Sequence, residues 1–312
     1  MKTFTAAVLL LSSLTAHAIG QTHSYSLDPK STFLRSFADV TLAPTVLDLT
    51  QLGIAPGQWL RVGTHGNYSH YHNGPDDHQS LIGVFSASAT LQATNVTQRV
   101  PDAIVAGGQY VSGNTYNGNY VTDITQDLFA SRRNWRNFID VEVPAGATHL
   151  FLGVHDTLYH DNTDPDGDFG CDVTVLPQPS LPGTGEHVEL RSTASGGTPD
   201  ELDVQPASPG SVMVSQLTAP TGFVDNQLFV FVADTKATGA TSPQLLPSLW
   251  MGNLLVVHFG FVGTDLSWSD SFSLTAPAGL AGTTLVIQAG VLTSIARNGT
   301  YQMTHAHQFE LQ

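Results

Sequence analysis

The feature that most constrains the fold is a repeated pattern of short segments in which apolar and polar residues alternate. Each segment ends at Gly, Pro, Asn or Asp, which is typical of half-buried β-strands separated by turns. No segment has a helical period of helix length, and the weak helix candidate, 123–136, is polar and mixed. The sequence therefore predicts an all-β fold, with strands that include 46–49, 59–62, 80–85, 138–143, 150–154, 172–176, 188–190, 211–217, 228–232, 254–261, 271–275, 283–287 and 307–311.

A proline-rich stretch divides this pattern into two halves. The run PQPSLPG begins at Pro177, and three prolines so close together are incompatible with a central strand. Each half is long enough to bury its own core. We predict two β-sandwich domains of jelly-roll type in tandem, 19–176 and 186–312, joined by a linker at 177–185. The sequence assigns no role to the second domain.

The N-terminal run MKTFTAAVLLLSSLTAHA is typical of a secretory signal peptide, with Lys2 before a short apolar stretch and Ala16-His17-Ala18 at its end. The apolar stretch is too short to span a bilayer. We expect residues 1–18 to be removed and the mature protein to be secreted, either extracellular or periplasmic, without membrane insertion. A single cysteine, Cys171, excludes an intramolecular disulfide framework.

The net charge of −15 disfavours nucleic acid as a partner and suits cations or neutral ligands. Much of this charge lies in HDTLYHDNTDPDGDFG, residues 155–170, which contains five Asp and one Asn but no Lys or Arg. Carboxylates this close repel each other, so the segment is either a solvated loop or a cation site. Calcium takes carboxylate, amide and carbonyl oxygens, which is what this segment offers between two predicted strands.

An EF-hand is a poor explanation of the segment. Asn162-x-Asp164-x-Asp166-Gly167-Asp168 matches the start of such a loop, but Val173 occupies the position that requires a bidentate Glu, and no helices flank it. The segment HLFLGVHDTLYHDNTDPDGDFGCDVTV instead resembles the C-terminal strand–loop–strand of the PA-I-type galactophilic bacterial lectins and their galactose-binding-like relatives. The upstream LGIAPGQWLRVGTHGNY resembles the turn, strand and aromatic loop of the same family, so the resemblance covers about 40–176.

The resemblance implies a calcium ion whose coordination is completed by sugar hydroxyls, and hence a neutral glycan or polysaccharide as ligand. Carried over by position, Asp156 matches the family's first Asp ligand, while Asp161 and Asn162 match its Asn pair. Backbone carbonyls would come from Tyr159 or His160 and from Tyr68 or Asn67. Asp164 and Asp166 belong to an insertion that the family lacks and would add ligands or form a second ion site.

The resemblance is weakest at the sugar-contacting residues. His78 and Gln79 lie near the positions of the lectins' His and Gln, although their spacing differs. Together with Asp156 and Asn162 they are the expected sugar contacts. The resemblance leaves oligomerisation open.

Two other functions compete with a calcium lectin. His70-x-His72, completed by Asp77 or Asp156, would suit zinc or copper, and thus a metal-dependent hydrolase or oxidase. The other is a structural surface module in which calcium only stiffens the acidic loop. The sequence contains no G-x-S-x-G, P-loop or H-E-x-x-H motif.

Overall fold

The computed structural model describes residues 20–36, 39–106, 111, 122–132, 137–185, 188–219, 224–252, 255–264, 268–294, 296 and 298–312. The predicted signal peptide, 1–18, lies outside the described residues. Within them there is no α-helix, and one 3₁₀ turn is present at Ala278–Leu280. No described helix has the length and apolar character that a membrane span needs. The prediction of an all-β sandwich fold is confirmed.

The described strands up to residue 176 form two antiparallel sheets. Sheet I has the order β1-β9-β3-β7, and sheet II has the order β2-β8-β4-β5, with β6 also paired to β4. The bounds are β1 Thr22–Ser26, β2 Thr45–Asp48, β3 Trp59–His65, β4 Ser80–Ser86, β5 Ala103–Ile104, β6 Leu128–Arg132, β7 Phe138–Glu142, β8 His149–Val154 and β9 Gly170–Leu176.

The described strands after residue 188 form two further sheets. Sheet III has the order β10-β12-β15, and sheet IV has the order β11-β18-β16-β13-β14, with β17 paired to β16. The β11–β18 pair is parallel. The bounds are β10 Glu189–Thr193, β11 Val204–Ala207, β12 Val212–Thr218, β13 Leu228–Ala237, β14 Leu255–Phe261, β15 Ser269–Thr275, β16 Thr283–Leu292, β17 Tyr301–Met303 and β18 His307–Leu311.

The strand β4 shows how the first sandwich is packed. Its side chains alternate between two apolar clusters, because successive residues of a strand point to opposite faces. Leu81 and Phe85 contribute to the core between sheets I and II. Ile82 and Val84 contribute to a second cluster on the outer face of sheet II, together with Phe33. Both faces of sheet II are therefore covered.

The weak helix candidate at 123–136 contains no helix in its described part, 123–132. Residues 128–132 form β6, which pairs with β4. Leu128, Phe129 and Ala130 are all buried, so this strand contacts apolar groups on both faces and lacks the alternation that reveals a half-buried strand. Residues 133–136 lie outside the described residues.

The register of the strands places two loops side by side at one end of the first sandwich. In sheet I, His65 at the end of β3 is opposite Gly170 at the start of β9. In sheet II, Leu81 of β4 is opposite Val154 at the end of β8. The β3–β4 loop (66–79) and the β8–β9 loop (155–169) therefore emerge together, and backbone bridges join Ser69 to Thr163.

Candidate metal centre

The two loops carry most of the residues that the sequence analysis selected. The β3–β4 loop is folded back on itself by paired backbone hydrogen bonds between Tyr68 and His78, both 3.0 Å. Ser69 and Thr163 exchange backbone hydrogen bonds of 2.8 and 2.9 Å across the loops. These bonds fix the position of Asn162 and Asp164, which flank Thr163, beside the β3–β4 loop.

Asn162 is fully buried at this junction. Its Nδ2 donates a 2.9 Å hydrogen bond to the Pro29 carbonyl, and its Oδ1 has no hydrogen-bond partner among the described residues. A buried amide oxygen without a donor is costly, since burial removes its bonds to water. An oxygen in this state is suited to a cation.

Two carboxylates near Asn162 also have a buried oxygen without a hydrogen-bond donor in the described part of the chain. Asp156 Oδ1 accepts the Thr157 N–H at 2.6 Å, whereas the buried Oδ2 of Asp156 and Oδ1 of Asp161 have no hydrogen-bond partner among the described residues. Burial raises the pKa of Asp156, an effect that is partly offset by the N–H groups of Thr157 and Leu158 and by the nearby Asn162. We call Asp156, Asp161 and Asn162 the inner group.

Aromatic residues pack around the inner group. Tyr68 is fully buried, with its ring centroid 4.8 Å from that of Phe169, and burial together with the nearby Asp156 raises its pKa well above the usual value. Its phenol is thus neutral, and its carbonyl already accepts one bond from His78. Burial likewise raises the pKa of Tyr159, whose hydroxyl accepts the Asp156 N–H at 3.2 Å.

Asp39, which sequence reasoning missed, holds the beginning of the β8–β9 loop. Its side chain is fully buried and accepts the N–H groups of Tyr159 at 2.6 Å and His160 at 3.1 Å. The His160 ring is exposed, with Nδ1 3.2 Å from Asp39 Oδ1. The main chain that offers the predicted Tyr159 and His160 carbonyls is therefore fixed by a residue from a distant part of the sequence.

A second set of carboxylates lies nearby and is called the outer group: Asp76, Asp164, Asp166 and Asp168. One oxygen from each lies within 4.8 Å of the others. Burial and the other three carboxylates raise the pKa of Asp76, and its Oδ1 has no hydrogen-bond partner among the described residues. Asp76 and Asp168 were not among the predicted ligands: Asp168 lies in the acidic segment but was not selected, and Asp76 reaches the group only through the fold.

Local hydrogen bonds shape the outer group. Asp164 accepts the Gly167 N–H at 2.9 Å through one oxygen and the Phe169 N–H at 3.2 Å through the other. Asp168 accepts the Asn67 N–H at 3.1 Å. Each of these carboxylates therefore has a fixed orientation while keeping further lone pairs for a cation.

The predicted sugar contacts and the histidines lie on the β3–β4 loop. Gln79 donates a 3.1 Å hydrogen bond to the Gly66 carbonyl and so braces the loop. The rings of His70 and His78 are 4.4 Å apart between centroids, whereas His72 is exposed. Within the described ranges, the outer group is the one set of three or more His, Cys, Asp or Glu whose ligand atoms come this close, and it contains no histidine.

Comparisons with known proteins add little. No protein-family model matches the chain, and no curated protein matches it. Among solved structures, a match is found to a cellulose-active polysaccharide monooxygenase from M. thermophila, with 14% sequence identity and a TM-score of 0.23. The alignment covers 38% of this chain and 57% of that enzyme. Neither a shared fold nor a shared activity is inferred from a match of this kind.

Proposed function

We propose that this chain is an exported, calcium-dependent, lectin-like protein that binds a neutral glycan at the end loops of its first sandwich. The observation that carries the proposal is the inner group, in which three side chains present buried oxygens without donors. Such oxygens are destabilising in the absence of a cation and become ligands in its presence.

The chemistry of the inner group favours calcium over a transition metal. Its ligand atoms are all oxygens, which suit hard cations, whereas zinc and copper prefer imidazole and thiolate. Asp156 and Asp161 supply two negative charges and Asn162 a neutral amide oxygen, so a divalent cation is neutralised without excess charge. The three side chains supply fewer than the six to eight oxygens that calcium takes, which leaves room for main-chain carbonyls and sugar hydroxyls.

The outer group supports a second calcium ion with a structural role. It brings together three carboxylates of the β8–β9 loop and the carboxylate of Asp76 on the β3–β4 loop. Neutralising them would fix this loop against the β3–β4 loop. Such an ion is compatible with a lectin. In a structural surface module, stiffening of this loop by the ion would be the only role of the site.

The surroundings of the inner group suit a sugar. Tyr71, which is 45% exposed, lies on the β3–β4 loop with its ring 4.8 Å from that of His70. An exposed aromatic ring offers an apolar face for the C–H groups of a sugar. His78 and Gln79 follow on the same loop. Calcium would hold two hydroxyls, and these side chains would select the stereochemistry around them.

The test is glycan binding by the purified chain in calcium and in EDTA, using immobilised galactose and a panel of neutral polysaccharides. We expect binding in calcium, loss in EDTA, and loss in Asp156→Asn. Asp48→Asn is the matched control, because Asp48 lies on β2 and its side chain accepts one hydrogen bond among the described residues, from the Gln51 N–H. It should bind as wild type does.

The outcomes separate the three candidate functions. Calcium binding without any glycan binding would leave the structural module. Turnover of a polysaccharide that is restored by zinc or copper but not by calcium would favour the metalloenzyme. Glycan binding that survives Asp156→Asn would contradict the shared site.

A further inference from the structure

A cavity of about 400 Å³ lies between the two sandwiches, at the opposite end of the first sandwich from the β3–β4 and β8–β9 loops. It begins at Trp59 and Leu176, the first residue of β3 and the last of β9. The linker and the second sandwich close it, through Pro177, Pro179 and Gly185 on one side and Met303 and His305 on the other. Cavities between domains are common ligand sites, and this volume is in the range of small-molecule pockets.

The walls of the cavity are held together by contacts across the domains. Arg61 forms a two-pronged ion pair with Asp140, with both hydrogen bonds 2.8 Å, and also contacts Glu201 of the second sandwich. The rings of Trp59 and His305 meet edge to face, with centroids 4.4 Å apart. The cavity is therefore a feature shared by both sandwiches.

Acidic side chains dominate the polar lining, which includes Asp140, Glu189, Asp200, Glu201 and Asp203. Arg61 and Arg191 pair with three of these carboxylates, so five acidic and two basic groups leave an excess of three negative charges. Asp200 and Asp203 are partnered by neutral groups, through the Leu202 N–H at 3.0 Å and the Ser180 N–H at 2.7 Å.

The two lining histidines do not compensate this charge. Burial lowers the pKa of His305, whose Nδ1 accepts the Gly183 N–H at 2.9 Å. Burial also lowers the pKa of His307 to about 4, and its Nδ1 lies 2.6 Å from Ser192 Oγ. Both rings are neutral at neutral pH, so the cavity keeps its negative potential.

The other walls specify the shape of a ligand. Apolar side chains of the lining include Leu176, Val188, Leu190, Leu202 and Met303. Trp59 lines the cavity and is 2% exposed, and its buried indole N–H has no hydrogen-bond acceptor among the described residues. An apolar body, a positive charge and an acceptor oxygen would complement these three features.

The carboxylates of the cavity are arranged for an organic cation and not for a metal ion. Where the chain is described, the outer group alone brings three or more carboxylates together with their oxygens within 4.8 Å of one another. The charges of the cavity are spread over its walls, among apolar groups. We infer that the inter-domain cavity is a second ligand site, which takes a small organic amine that carries a hydroxyl or carbonyl oxygen.

The test uses three probes of equal length: 6-aminohexan-1-ol, hexane-1,6-diol and 6-hydroxyhexanoate. Binding to the full chain is measured by titration in calcium-containing buffer, which keeps the acidic loops occupied. We expect the amine to bind about tenfold or more tightly than the neutral diol, the ratio expected for unit charges roughly 10 Å apart near a protein surface. The anion should not bind.

Two variants, each of which replaces one carboxylate of the cavity by a neutral amide, locate the site. Asp200→Asn and Asp203→Asn keep the acceptor oxygens for their N–H partners, so the fold should survive, which circular dichroism checks. Each should weaken amine binding about tenfold by the same Coulombic reasoning. Asp48→Asn should not change it. The indole N–H resonance of Trp59, assigned with Trp59→Phe, should shift with the amine in wild type.

Several results would overturn the inference. Equal affinity for the amine and the diol would show that the carboxylates of the cavity do not select a positive charge. Wild-type affinity in both Asn variants, or no shift of the Trp59 resonance, would place the amine elsewhere. Loss of amine binding in Asp166→Asn but not in Asp200→Asn would assign the amine to the outer group.

Discussion

Replacing Asp39 by Ala should loosen the β8–β9 loop, although Asp39 is not among the candidate calcium ligands. The Asp39 carboxylate is fully buried and accepts the N–H groups of Tyr159, His160 and Val40, the last at 2.7 Å. Hydrogen bonds to a charged group contribute about 1.5–3 kcal/mol each, and a donor left unpaired in a buried site costs a similar amount. Because these bonds share one acceptor group, their contributions do not add fully.

We therefore expect Asp39→Ala to lower the free energy of unfolding by about 2–4 kcal/mol. For a domain of this size that corresponds to a fall of roughly 4–16 °C in the midpoint of thermal unfolding. Asp39→Asn, which keeps one acceptor oxygen, should lie between Ala and wild type. Calcium affinity should fall as well, because the main chain at Tyr159 and His160 is no longer fixed before the ion binds.

The assay is thermal unfolding in EDTA followed by calcium titration. Asp48→Ala serves as control, since it removes a single exposed hydrogen bond to the Gln51 N–H and should cost less than about 1 kcal/mol. If Asp39→Ala melts within about 1 °C of this control, the surface-mutation range, Asp39 does not hold the loop and the reasoning fails.

Three further predictions concern single groups. Burial raises the pKa of Asp156 above its value in the unfolded chain, so the contribution of this group to the stability of calcium-free protein is fully present below the unfolded pKa and is lost as pH rises through the raised pKa; the difference between wild-type and Asp156→Asn melts across the acid-to-neutral range should show this loss in EDTA and not in saturating calcium. Gly66→Ala should lower both the melting midpoint and calcium affinity, because φ is 64° and a Cβ would collide with Asp168; the backbone strain alone costs about 1–3 kcal/mol, and wild-type melting would contradict this. Cys171 is fully buried and burial raises its pKa to about 12, so a disulfide reagent such as Ellman's should label it only after unfolding, and rapid labelling of native protein would contradict the burial.

The strands were largely predictable from the sequence because most of them are half-buried. Segments 138–143 and 172–176 alternate, and the structure places β7 and β9 there, each with buried and less buried residues in turn. β4 and β8 are buried on both faces and were predicted as apolar runs bounded by turn residues, whereas β6, which is also buried on both faces, was missed. A strand of this kind is identified by its pairing partner, which local sequence does not contain.

The candidate site was predictable only where its residues are close in sequence. Asp156, Asp161 and Asn162 lie within one loop, and each has a buried oxygen without a hydrogen-bond partner among the described residues. Asp39 and Asp76 come from other parts of the chain. The bond from Asp39 to Tyr159 spans 120 residues, and no spacing rule connects them. The same dependence on tertiary structure hid the inter-domain cavity, which two sandwiches and a linker build together.

The measurement that tests the central claim most directly is a calorimetric titration of calcium into protein that has been stripped with EDTA, for wild type and Asp156→Asn. We expect calcium to bind to wild type, magnesium and zinc to bind more weakly, and one calcium-binding step to be lost in Asp156→Asn while Asp48→Asn behaves as wild type. Absence of calcium binding to the folded wild-type chain, or an unchanged titration in Asp156→Asn, would contradict it.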